Sequence, residues 1–153
     1  MKKALQIGDT EVWGGSMQDA LANYNKFDLV ISLENPLVRM TKWKRLVFRF
    51  VAKINSPKHI MFKWPDFGVP DISKGQWLGL VKEIKKHRKV LVHCQGGIGR
   101  TGTALAIIHG LSDTAYYAAY PGVDSVRVIR QLYIPNAVET SKQAQYIDSI
   151  VRA

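Results

Sequence analysis

The stretch Val92-His93-Cys94-Gln95-Gly96-Gly97-Ile98-Gly99-Arg100-Thr101-Gly102 holds the only cysteine of the chain, and three of its twelve glycines stand between that cysteine and Arg100. Residues 90–92 are a short apolar run that reads as a strand. After Arg100, the apolar residues Ala104, Leu105, Ile108 and Leu111 recur at helical spacing, so the stretch is a strand, a loop and a helix in succession. A glycine-rich strand-to-helix junction lets backbone N–H groups turn inward without Cβ clashes. The helix N-terminus adds free donors and partial positive charge, which makes the junction an anion site. A free thiol titrates near 8.5, and helix N-termini with cationic neighbours bring it to roughly 3.5–7.5, so Cys94 at this rim is a candidate nucleophile. Arg100 supplies a planar fork that can hold two oxygens of a bound anion. Thr101 could hydrogen-bond the sulfur, and His93 could fix the loop through its ring nitrogens. A lone cysteine after an apolar strand is otherwise an inert core thiol. Its spacing from Arg100 on this frame is what singles it out.

The rest of the composition is that of an ordinary globular chain. At 153 residues one domain spanning residues 1–153 is expected, burying about 70% of its unfolded surface. With 46% hydrophobic and 22% charged residues, neither disorder nor a fibrous repeat is indicated. The opening residues 1–13 carry two lysines but no sustained apolar run, and no later segment approaches membrane-spanning length. A soluble, cytoplasmic, monomeric protein without a membrane partner is expected. One cysteine cannot form an internal disulfide, which fits a reducing compartment. The net charge of +10 favours acidic partners: phosphorylated peptide, nucleic acid or anionic lipid. The basic clusters Lys42-Trp43-Lys44-Arg45 and Lys85-Lys86-His87-Arg88-Lys89 are also what solvated helix faces or ends look like.

Strand-like and helix-like segments alternate along the chain, which points to an α/β domain. Residues 4–8 and 11–13 read as opening strands, 17–24 as a helix, and 27–33 as a buried strand. Trp43, Leu46, Val47, Phe50, Val51 and Ile54 recur at helical spacing, and residues 58–63 read as a further strand. Asp71 or Ser73 can cap a helix whose apolar face is Trp77, Leu80, Val81 and Ile84. Two more helices are expected, over residues 125–132 and from Thr140 to the end.

His93-Cys94-Gln95-Gly96-Gly97-Ile98-Gly99-Arg100-Thr101-Gly102 resembles the signature loop of the cysteine-dependent protein tyrosine phosphatase superfamily: His-Cys, five residues, Arg, then Ser or Thr and Gly. A nucleotide-binding P-loop is excluded, since no Gly-Lys-Ser or Gly-Lys-Thr follows the glycines. The resemblance implies a central, mostly parallel twisted sheet flanked by helices, with the active site at the C-terminal edge of the strands. It makes Cys94 the nucleophile, and it makes Gln95, Gly96, Gly97, Ile98, Gly99 and Arg100 the phosphate-binding residues.

Displacing an alkoxide or phenoxide from phosphorus also needs a proton donor on the leaving-group side. Trp64-Pro65-Asp66-Phe67-Gly68-Val69-Pro70 resembles the family's mobile WPD loop, although in isolation it would be a Pro/Gly turn with a capping aspartate. The resemblance gives Asp66 the acid role, followed by activation of water, with Trp64 and the prolines as hinge and stiffener. Toward the C-terminus, Ala137-Val138-Glu139-Thr140-Ser141-Lys142-Gln143 resembles the Q-loop, with Gln143 orienting water; Thr140-x-x-Gln143 is equally a capping box. Glu139 stands where tyrosine-specific members often carry glutamine.

The reaction these motifs imply is hydrolysis of phosphotyrosine, and of phosphoserine or phosphothreonine, in phosphorylated proteins or peptides. The loop between Cys94 and Arg100 carries no charge, which speaks against phosphoinositides. Two alternatives remain: an RNA 5′-triphosphatase, for which the basic charge, Trp43, Tyr116 and Tyr117 are candidates, and a phosphate-binding pseudophosphatase module. A thiol reductase would need a resolving cysteine, which is absent. His59, His87, His93 and His109 show no zinc-ligand spacing, so neither metal nor cofactor is expected.

Overall fold

The computed structural model describes residues 1–34 and 57–152. The helical reading of residues 43–54 and the basic cluster at residues 42–45 lie outside them. Five strands form one sheet: β1 (Lys2–Ile7), β2 (Thr10–Gly15), β3 (Leu29–Ser32), β4 (Lys58–Met61) and β5 (Lys89–His93). Their order is β1-β2-β5-β3-β4. β1 and β2 make an antiparallel hairpin, whereas β2, β5, β3 and β4 pair in parallel, so the sheet is mostly parallel as expected. Among the described residues six α-helices accompany it: α1 (Met17–Asn23), α2 (Lys74–Ile84), α3 (Gly99–Ser112), α4 (Thr114–Ala119), α5 (Ser125–Leu132) and α6 (Ser141–Val151).

Side chains alternate across a strand, and here the alternation separates two apolar layers. Val12, Leu29, Ile31, Val90 and Val92 join the larger core with residues of α2, α3, α5 and α6. Val30 and Leu91 face the opposite way, onto Ala20, Tyr24 and Phe27, with Trp13 packed against them. β3 and β5 are therefore covered on both faces, and their uninterrupted apolar runs are what a central parallel strand requires. The expected face of α2 is buried: Trp77, Leu80, Val81 and Ile84. Trp77 is wholly enclosed, and its removal would cost about 3–5 kcal/mol. Of the two caps open to α2, Ser73 is the one used, in a reciprocal capping box with Gln76.

Two expectations about elements are corrected. α3 begins at Gly99, ahead of the apolar pattern that starts at Ala104, so that Arg100 lies in its buried first turn. Helix α4 was not anticipated. Its six residues are held by the Asp113 carboxylate accepting from Tyr116 N, and its sequence Thr-Ala-Tyr-Tyr-Ala-Ala carries no helical apolar stripe. Among the described residues no helix is long and apolar enough to cross a membrane.

Candidate active site

β2, β5, β3 and β4 run in the same direction, so the residues after Gly15, His93, Ser32 and Met61 gather at one edge of the sheet. Cys94 follows β5 directly and is 3% exposed. The loop after it folds back so that Gly97 N donates to Cys94 Sγ at 3.2 Å. That turn requires a positive φ of 77° at Gly97. A Cβ there would sit 2.7 Å from the Gly15 carbonyl carbon and 2.8 Å from Ser16 N, so only glycine fits. Three other contacts pin the same loop: Met17 N donates to Gln95 O at 3.0 Å, Tyr133 Oη to Gly97 O at 2.7 Å, and Val138 N to Ile98 O at 3.4 Å. Burial pushes the Tyr133 phenol well above its usual range, which keeps it a donor.

Among the described α-helices α3 is the exception. α1, α2, α4, α5 and α6 each have a side-chain cap, from Ser16, Ser73, Asp113, Asp124 and Thr140, whereas the cap position of α3 is Ile98 and offers none. Its first-turn N–H groups and the positive end of its dipole are thus left for an anion beside Cys94. Two polar atoms here are buried without a hydrogen-bond partner among the described residues, Gln95 Oε1 and Thr101 Oγ1. The hydrogen bond from Thr101 to the cysteine sulfur that the sequence suggested is not formed.

His93 is buried at the end of β5, and burial pushes its imidazole down to about 4, so it is neutral at pH 7. Its Nδ1 lies 3.2 Å from Cys94 O, which can only accept, and its Nε2 lies 2.6 Å from Ser32 Oγ. The proton therefore sits on Nδ1, and the Ser32 hydroxyl donates to Nε2. His93 ties the Cys94 backbone to β3 through its two ring nitrogens.

Arg100 is 3% exposed, and its guanidinium is used on one side only. Nη1 donates to Glu34 Oε2 at 2.7 Å, Trp64 O at 3.0 Å and Leu33 O at 3.2 Å. Nε is buried without a hydrogen-bond acceptor, although Asp66 Oδ1 stands 3.5 Å away in an ion pair. Glu34, at the end of β3, was not foreseen as part of the site: 66 residues separate it from Arg100, and no local pattern joins them.

The 64–70 loop brings Asp66 to this guanidinium. Trp64 is buried edge-on against Trp77 and Tyr146, and its Nε1 donates to Gly68 O at 2.8 Å. Gly68 N closes a turn onto Pro65 O at 3.0 Å, with Phe67 at a positive φ of 58° in the third position, where glycine or asparagine is usual. Phe67 N donates to Asp66 Oδ1 at 3.0 Å. The tip is exposed, Asp66 by 54% and Phe67 by 57%.

Gln143 closes the capping box of α6: Thr140 Oγ1 accepts from Gln143 N at 3.1 Å, and Gln143 Oε1 accepts from Thr140 N at 3.3 Å and also from Glu139 N at 2.9 Å. The same two side chains reach the 64–70 loop, Thr140 Oγ1 donating to Phe67 O and Gln143 Nε2 to Gly68 O, each at 3.3 Å. The structure thus brings His93, Cys94, Arg100, Thr101, Trp64, Asp66 and Gln143 to one edge of the sheet. It adds Ser32, Glu34, Tyr133 and Thr140, whose polar groups hold them.

Comparison with known proteins bears on the family and the fold. The family model described as protein-tyrosine phosphatase matches residues 18–152. The protein named Uncharacterized protein MJECL20 of Methanocaldococcus jannaschii is 30% identical over 155 residues, covering 96% of this chain and 95% of that one. Receptor-type tyrosine-protein phosphatase epsilon of Rattus norvegicus is 27% identical over 134 residues, which is 82% of this chain; the match spans only 17% of that relative's length. Among solved structures, Tk-PTP in its active form superposes with a TM-score of 0.64 at 20% identity, covering 98% of this chain and 96% of that one. Kinase associated phosphatase (KAP) gives 0.62 at 18% identity, covering 94% and 88%. At such identities the structural likeness concerns the fold, and it is the family match over most of the chain that identifies this protein as a member of the protein-tyrosine phosphatase family.

Proposed function

We propose that residues 1–153 form one phosphatase domain that hydrolyses phosphotyrosine, and also phosphoserine and phosphothreonine that reach the loop, through a phosphate held covalently on Cys94. The observation that carries this reading is the half-used guanidinium of Arg100. Nη1 is anchored by Glu34 and two carbonyls, while the buried Nε makes no hydrogen bond and has the Asp66 carboxylate 3.5 Å away in an ion pair. A buried charged donor without a hydrogen bond is costly, and an oxyanion bound over the sulfur would supply the acceptor.

In this reading the phosphoryl oxygens lie among the inward N–H groups of residues 95–100, and Arg100 holds two of them. Sγ attacks phosphorus, and Asp66 gives its proton to the leaving oxygen. The bond from Gly97 N to Sγ stabilises sulfur as an anion both before attack and when it departs. Asp66 reaches this position because its loop is fastened to Trp64 and the start of α6. No step calls for a metal, so turnover is expected to persist in chelator.

The RNA 5′-triphosphatase alternative would place cations beside the loop. Among the described residues, the Lys85–Lys89 cluster instead stands at the start of β5. At about 3.3 Å per residue the strand separates it from Cys94 by roughly 15 Å. A pseudophosphatase module would be expected to lack nucleophile or acid, and Cys94, Arg100 and Asp66 are all present. A lone free thiol fits a reducing, cytoplasmic compartment.

The test compares hydrolysis of a phosphotyrosine peptide, a phosphoserine peptide and 5′-triphosphorylated RNA across a salt series, in the native protein and in Cys94→Ser. Phosphotyrosine turnover that vanishes in Cys94→Ser is expected. Turnover that survives the substitution, or RNA as the preferred substrate with a steep salt dependence, would overturn the reading.

A further inference from the structure

We infer that Tyr133 is a positioning residue of the phosphate-binding loop: its hydroxyl turns the Gly97–Ile98 peptide so that Ile98 N–H faces the phosphoryl oxygens. This rests on the phosphatase reading above and gives a task to a side chain that lies outside every motif behind that reading.

A trans peptide is planar, with its C=O and N–H pointing opposite ways, and the described residues contain no cis peptide bond. Whatever holds one carbonyl of the loop therefore also aims the amide of the following residue. Gln95 O is held by Met17 N, Ile98 O by Val138 N and by Gly102 N at 3.0 Å, and Gly97 O by Tyr133 Oη. Met17, Val138 and Tyr133 all lie outside the loop, after β2, before α6 and after α5. The amides of Gly96, Gly99 and Ile98 are thereby sent the other way, to the side on which Gly97 N already meets Cys94 Sγ.

Of these three outside partners only Tyr133 acts through a side chain. The peptide it holds is weakly restrained by itself, because Gly97, at a φ of 77°, has no Cβ to limit rotation about its ψ. Turned over, that peptide would point a carbonyl oxygen at a bound oxyanion and take Ile98 N–H away from it. An amide aimed beforehand needs no reorganisation when charge shifts on the phosphoryl oxygens.

The surroundings fix the phenol for this contact. Tyr133 is buried, and it ends α5 with its N donating to Ile129 O at 2.8 Å. Its ring lies against β2 at Gly14, where a Cβ would stand 2.5 Å from Tyr133 Cε1 and 2.6 Å from its Cζ. Glycine weakens a strand, and here it makes room for the ring. Oη meets Gly97 O at 2.7 Å, and a carbonyl only accepts, so the hydroxyl donates. Burial keeps the phenol protonated through neutral pH and above.

The test compares Tyr133→Phe, which keeps the ring and loses only the hydroxyl, with the native protein. Three quantities are read: aryl phosphate hydrolysis, competitive inhibition by inorganic phosphate, and amide NMR signals during a phosphate titration. Expected in the variant are a fall in kcat/KM of about 10–100-fold and a rise in the inhibition constant for phosphate of about 10-fold. The Ile98 amide signal should shift on phosphate binding in the native protein and stay in place in Tyr133→Phe. A native inhibition constant in Tyr133→Phe would overturn the proposal, since a merely structural role would lower the melting temperature and leave phosphate affinity untouched. So would an Ile98 amide that does not move when phosphate binds the native protein, a result that stands even where Tyr133→Phe fails to fold. If the native protein neither hydrolyses aryl phosphate nor binds inorganic phosphate, the phosphatase reading fails with it; native turnover equalled by Tyr133→Phe sinks this inference alone.

Discussion

The two loops that meet at the site are built in opposite ways. The 94–100 loop is buried and held through its backbone by three separate parts of the chain: Met17 after β2, Tyr133 after α5, and Val138 before α6. The 64–70 loop carries an exposed tip and is fastened through side chains, by Trp64 Nε1, Thr140 Oγ1 and Gln143 Nε2 onto two adjacent carbonyls. Backbone anchorage fixes donors where charge develops and leaves nothing to reorganise. The two 3.3 Å hydrogen bonds from Thr140 and Gln143 can be undone at little cost, which suits a loop proposed to open for substrate. The difference teaches that Cys94 and Asp66, the proposed nucleophile and acid, can be disturbed independently.

Asp66→Ala is expected to have the largest effect, slowing turnover by about 10²–10⁴-fold for poor leaving groups and much less for good ones, with no change in stability. A series of aryl phosphates of graded leaving-group pKa measures this, and a loss uniform across the series would remove Asp66 from the acid role. Gly97→Ala is the counterpart on the rigid side. A methyl against the Gly15 backbone, at a positive φ, should destabilise by on the order of 2–5 kcal/mol and lower activity by about 10²-fold. Urea unfolding and turnover read together would break the comparison if both stayed native. Thr140→Val removes a bond to the acid loop and the α6 cap; it should reduce turnover by roughly 2–10-fold, confined to substrates that need the acid. Equal loss for activated substrates would mean that Thr140 supports the 94–100 loop instead.

The smallest effect expected at neutral pH concerns His93. Its folded value, about 4, lies below the ordinary 6.5, so the unfolded chain binds the proton first. The stability that depends on it is complete above pH 6.5 and drains as pH falls toward 4, by on the order of 1–3 kcal/mol. Unfolding free energies measured between pH 7 and 4 should show this slope in the native protein, and a flatter one in His93→Asn. Identical slopes would place the acid sensitivity elsewhere.

Much of this architecture is legible in the chain because local chemistry and tertiary role agree. The α2 face shows in the spacing of Trp77, Leu80, Val81 and Ile84, and the β3 and β5 runs are apolar without alternation because both faces are covered. Cys94, Arg100 and Asp66 stand out because glycine, proline and a charged fork occur together in short windows. What is not legible is carried by distance or by strain. Glu34 and Arg100, Ser32 and His93, and Tyr133 and Gly97 meet only once the sheet has formed. The start of α3 at Gly99 is hidden because glycine reads as loop, and α4 is too short to carry a periodic stripe. No propensity assigns a positive φ to valine, so the turn that directs Glu139 at Gly99 is visible only in three dimensions.

The central claim is that the sulfur held by Gly97 N receives the phosphoryl group. Mixing the native protein with a phosphotyrosine peptide, quenching in acid within one turnover and sequencing the digest by mass spectrometry tests it directly. The account predicts one added phosphoryl group, carried on Cys94 and absent from Cys94→Ser. A phosphoryl group on another residue, or full substrate hydrolysis with Cys94 unmodified at every quench time, would contradict it.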